Sequence, residues 1–123
     1  MSASSNAKRI AELNDQLRAR AGLPVANGAG IPQGLIVLTR GIVELAPERQ
    51  CEIFAMVRSF DRFTEDNDPF GEHDFGSFVV LGVGKVFWKI DYYADRSCAF
   101  GSEDPADPDR SFRVLTIMLA SEY

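Results

Sequence analysis

The sequence predicts an α+β domain: a small antiparallel sheet of three to four strands with helices packed on one face. Three observations carry this expectation. Residues 75–81 and 85–93 are rich in β-branched and aromatic side chains and flank Gly82-Val83-Gly84, the pattern of a β-hairpin. Ile10, Leu13 and Leu17, and later Ile53, Phe54, Val57 and Phe60, recur at helical spacing. The chain has 123 residues, 46% of them apolar, enough for one domain whose core needs no disulfide or metal staple.

In chain order, residues 1–5 read as a flexible polar tail. A first helix starts near Ser5 or Asn6, either of which can cap its free N–H groups, and ends at Gly22 and Pro24. Residues 22–33 form a Gly/Pro-rich loop. The apolar run 35–38 reads as a buried strand, and Pro47 suits the first turn of a second helix. In the hairpin, Val86, Trp88, Ile90 and Tyr92 alternate with Lys85, Phe87, Lys89, Asp91 and Tyr93, so the first set should face the core. A third short strand is expected over 98–101. Asp107 and Pro108 are suited to begin a last helix, with Phe112, Val114, Leu115, Ile117, Met118 and Leu119 around its circumference and Trp88 buried against it. A strand is the alternative for this segment, because short apolar runs do not separate the two.

Charge is unevenly spread. The net charge is −5. Between residues 61 and 74, Asp61, Glu65, Asp66, Asp68, Glu72 and Asp74 face a single base, Arg62. The acids and bases elsewhere cancel. This balance argues against direct nucleic-acid binding. No segment is long and apolar enough to span a bilayer, and no apolar run follows Met1 as in a signal peptide. The two cysteines, Cys51 and Cys98, have neither disulfide-framework nor zinc-site spacing. Cys51 reads as a buried, inert thiol. A cytoplasmic location is expected. No glycine pair opens a phosphate-binding helix, and no cofactor is expected.

Four stretches stand out: Leu38-Thr39-Arg40-Gly41, the run FTEDNDPFGEHDFGSF at 63–78, VFWKIDYY at 86–93, and FGSEDPADP with RVLTIMLASEY towards residue 123. Together they resemble a bacterial family of uncharacterised small proteins common on plasmids and mobile elements of alphaproteobacteria. The resemblance implies an accessory role on mobile DNA and brings no catalytic residue with it.

The candidate site is the acidic segment. Glu65, Asp66, Asp68, Glu72 and Asp74 crowd around Phe70 and the chain's single histidine, His73. Lys89, Asp91 and Tyr93 complete the set, because the paired strand offers His73 its nearest partners. Crowded carboxylates favour a cation or a basic surface beside them. One reading is a protein partner, such as a nucleic-acid enzyme of the host or of a defence system. The alternative is a small hydrolase in which residues 65–74 hold a divalent metal. The run is not an EF-hand, since Phe70 and Ser77 stand where ligands are required. The bland reading is an acidic turn whose side chains bond their own backbone.

Overall fold

The structure, a computed structural model, describes residues 2–23 and 32–123. Most of the Gly/Pro-rich loop expected over 22–33 lies outside the described residues. The chain is an α+β domain with one four-stranded sheet. The elements are α1 (Ser2–Arg18), β1 (Gly34–Leu38), α2 (Arg40–Val43), α3 (Pro47–Ser59), β2 (Phe75–Val80), β3 (Gly84–Tyr93) and β4 (Phe112–Leu119), followed by a 3₁₀ turn, Ala120–Glu122. Sheet order is β1-β4-β3-β2.

The hairpin forms as its sequence predicts. β2 and β3 pair antiparallel, with Gly76 opposite Trp88 and Phe78 opposite Val86. Val86, Trp88 and Ile90 are buried on the inner face. A Cβ on Gly76 would come within 2.4 Å of the indole nitrogen, so only glycine admits the ring there. Trp88 is 0% exposed. Phe60 and Phe63 meet it edge-on at 5.6 and 6.1 Å, and the Arg18 guanidinium lies 4.9 Å from its ring centre. Trp88→Ala should therefore cost about 3–5 kcal/mol, the scale for deleting a large core aromatic, as read by denaturant unfolding.

Four expectations are corrected. Residues 112–119 are a strand and not a helix, so Trp88 lies opposite Ile117 of β4 in the sheet. The reason is visible in its burial. Leu115 and Ile117 are buried inside, while Phe112 and Met118 are buried on the opposite face. A strand covered on both faces loses its polar alternation and mimics a buried helix. Second, the sheet is mixed, because β1 runs parallel to β4. Third, residues 98–101 contribute one bridge, Tyr93 to Gly101, and no strand. Fourth, α1 begins at Ser2, before the expected start after a five-residue tail.

Helices α1 and α3 cover the inner face. Leu17, Ala21, Ile53 and Val57 meet Trp88, Ile90, Leu115 and Ile117 in one core. Pro47 opens α3 as expected. The short α2 is held by Glu122, whose carboxylate accepts from Thr39 Oγ1 (2.6 Å) and the Gly41 N–H (2.8 Å). Those bonds hold the Glu122 carboxyl below the usual range.

Candidate functional site

The acidic segment is an ordered turn. Asn67 Oδ1 accepts the Thr64 N–H at 2.9 Å, Thr64 Oγ1 accepts the Asn67 N–H, and the Thr64 carbonyl accepts the Asp68 N–H at 2.8 Å. Gly71 and His73 both take positive φ, 71° and 57°. Glycine reaches that region freely, whereas histidine needs support. Asp68 supplies it. Its Oδ1 accepts the N–H groups of Glu72 (3.0 Å) and His73 (3.1 Å), and its side chain is 5% exposed. Asp68 is thus a buried turn former and not a surface carboxylate. Asp68→Ala should cost about 1–3 kcal/mol, because two N–H groups lose a charged acceptor. Glu65→Gln, on the exposed side of the turn, should change stability by less than about 0.5 kcal/mol. Thermal unfolding of the two variants checks both.

His73 is anchored from α1. Its Nδ1 lies 3.0 Å from Asp15 Oδ1, and its Nε2 lies 3.9 Å from Asp68 Oδ2. An ionised carboxylate only accepts, so Nδ1 carries the proton it donates to Asp15. The ring stacks flat on Phe63, 3.9 Å between centroids and 1° between planes. Asp15 also accepts from Arg18 at 2.8 Å, and Arg18 donates to the carbonyls of Val57 (2.7 Å) and Phe60 (3.0 Å). The expected partners on the neighbouring strand, Asp91 and Tyr93, point to the other face of the sheet. There Lys89 and Asp91 pair with each other at 3.1 Å.

Glu72 and Asp74 are also drawn inward. Glu72 Oε1 accepts from the Tyr92 hydroxyl at 3.0 Å, and the Glu72 carbonyl accepts from Asn14 Nδ2 at 3.0 Å. Asn14 Nδ2 donates to the Tyr92 oxygen as well, at 2.8 Å, while Asn14 Oδ1 accepts from Arg113 Nε at 2.6 Å. Burial pushes the Tyr92 hydroxyl well up and the Arg113 guanidinium down. Asp74 is pushed up by desolvation first and by Glu72 second. The fold therefore prefers it protonated: its contribution to stability is full at low pH and is lost as pH rises through its folded pKa.

The expected site thus divides in three. Asp68, Glu72, His73 and Asp74 serve the turn and its attachment to α1 and β3. Lys89, Asp91 and Tyr93 lie on the outer sheet face. Glu65, Asp66 and Phe70 remain exposed, Phe70 at 76%. Phe70 and His73 form one wall of a groove of about 380 Å³, and Lys8, Glu12 and Asp15 of α1 form the other. Cys51, expected to be buried, is exposed on α3. Among the described residues, no group of three His, Cys, Asp or Glu side chains is placed to share a metal ion. The His73 ring is hydrogen-bonded to Asp15, and Asp68 accepts the His73 backbone N–H. No helix among the described residues is long and apolar enough to cross a membrane.

The residues that sequence reasoning missed are Asn14, Asp15, Arg18 and Arg113. One signal was present for Asn14. It sits four residues after Ile10 and three before Leu17, on the apolar stripe, where a polar side chain needs a buried partner.

A family model described as "Protein of unknown function (DUF3768)" matches residues 38–122. The chain belongs to this family. The DUF3768 match takes in the acidic turn, the hairpin, β4 and Glu122, and it leaves α1 outside. Asn14, Asp15 and Arg18 thus brace the DUF3768 region from a helix beyond the match. No curated protein and no solved structure matches the chain.

Proposed function

We propose that this DUF3768 protein is a non-enzymatic binding protein. Its 65–74 turn docks a protein partner that presents a basic surface with an apolar recess. The observation that carries the reading is Phe70, 76% exposed on a turn that internal hydrogen bonds hold rigid. An exposed aromatic on an ordered turn has little backbone entropy left to lose on binding, which suits an anchor residue. Glu65, Asp66 and Glu12, all exposed, supply the negative rim that steers a basic partner. The buried Asp68 takes no part in contact. The likeness to proteins of alphaproteobacterial plasmids supports an accessory role in a bacterial cytoplasm, and a host or defence nucleic-acid enzyme fits the required basic surface. The metal-hydrolase reading finds no donor set among the described residues.

A photo-crosslinking side chain at position 70, used in cells of the encoding organism, should capture a discrete protein. Capture should fall at least several-fold when Glu65→Gln and Asp66→Asn are combined, and added salt should weaken it in the same direction. Unchanged capture by that double variant would remove the role of the acidic rim.

A further inference from the structure

The sheet has a second place where a partner fits, remote in chemistry from the acidic turn. β2 (Phe75–Val80) is an edge strand. The Ile90 N–H donates to the Asp74 carbonyl at 2.9 Å, which fixes the antiparallel alternation. Gly76, Phe78 and Val80 therefore turn their backbone groups to β3, and Phe75, Ser77 and Val79 turn theirs outward. Among the described residues, nothing bonds to those outward N–H and C=O groups. Edge strands are ordinarily blunted by charge, proline or a bulge. β2 reads Phe-Gly-Ser-Phe-Val-Val, with no charge and no proline, and it pairs with β3 in unbroken register. Beside it runs a groove of about 570 Å³ between the strand and the end of α3, walled by Met56, Phe60 and Phe78.

We propose that the free edge of β2 is a docking site for an extended, acid-flanked peptide segment of a partner protein, which joins the sheet as a fifth strand. Main-chain hydrogen bonds would hold the segment, and alternate apolar side chains would enter the groove against Met56 and Phe60. Charge selects the occupant. Arg62 and Lys85 line the groove, and neither forms an ion pair among the described residues. Among the described residues that line the groove, Asp61 is the one carboxylate. In a chain of net charge −5, this edge carries a local positive excess. A second copy of β2 would bring a strand with no charge of its own, flanked by Glu72 and Asp74, which are already drawn inward on their own protomer, and two chains of net charge −5 repel each other.

The test is an amide NMR titration with the acetylated peptide Glu-Val-Thr-Val-Thr-Val-Glu and its Lys-flanked counterpart. The acid-flanked peptide should shift the amides of Phe75, Ser77 and Val79 and leave those of Gly71 and His73 in place. It should bind about five-fold or more tightly than the Lys-flanked peptide, and the Arg62→Ala, Lys85→Ala double variant should erase that preference. N-methylation of alternate peptide residues should abolish binding in one phase of alternation and spare it in the other. Phe70→Ala should bind as wild type does, which separates this site from the acidic turn. Absence of binding, equal binding of both peptides, or shifts centred on the Phe70 groove would overturn the proposal. So would a concentration-dependent dimer that protects the Ser77 and Val79 amides without peptide, which would make a second copy the occupant.

Discussion

Removal of residues 112–123 is expected to abolish folding. The segment contains β4, which pairs with β1 on one side and β3 on the other. Its loss leaves β1 without any partner strand and exposes the second edge of β3. It also removes Leu115 and Ile117 from the core and Glu122 from the start of α2. From the sequence, the same loss would follow from uncovering the sheet; the structure gives a more severe cause, since the sheet is cut in two. The truncated chain should show no cooperative thermal transition, weak near-ultraviolet circular dichroism and strong binding of a hydrophobic dye. A truncated chain that unfolds cooperatively would show that β2 and β3 with α3 form a unit of their own.

Arg113→Ala should be among the more destabilising single changes in the domain, at about 3–5 kcal/mol, because it strips the donor from several acceptors at once and empties a packed site. Arg113 is 0% exposed. It donates to Asn14 Oδ1, to Ser111 Oγ at 2.9 Å and to the Pro105 carbonyl, and it lies 5.1 Å from the centre of the Tyr92 ring. Alanine would leave those acceptors buried without a donor, each a cost of about 1–3 kcal/mol before relaxation. It would also leave a void over Tyr92. Arg113→Met keeps the stem and its packing, so it should recover part of the loss. Denaturant midpoints at constant slope would separate the two. Equal midpoints for Arg113→Met and wild type would mean the polar bonds contribute nothing net.

The parts of this fold legible in the sequence are those whose signal is local. The hairpin announced its inner face because Val86, Trp88 and Ile90 alternate with Lys85, Phe87, Lys89 and Asp91. α3 announced its start through Pro47 and its inner face through Ile53 and Val57. β4 concealed itself because burial on both faces erased its alternation, and a run of Val, Leu, Ile and Met fits either element. The parallel pairing of β1 with β4 joins Gly34 to Arg113 across most of the chain, and no local pattern encodes such a partnership. The acidic turn was visible as composition, but its division was not. Whether a carboxylate faces water or accepts a backbone N–H depends on φ at His73 and on α1, both tertiary facts. Asp15 and Arg113 carry no local mark of their bonds for the same reason.

The position of β4 at the middle of the sheet sets the order in which the protein can be made. A ribosome delivers α1, β1, α3 and the hairpin before the strand that joins them. Until residue 119 has emerged, β3 keeps an unpaired edge and β1 has nothing to pair with, so the nascent chain carries open strand edges and an unclosed core. Synthesis and folding are separated in time, and the interval between them is when this chain is most open to a chaperone or to aggregation.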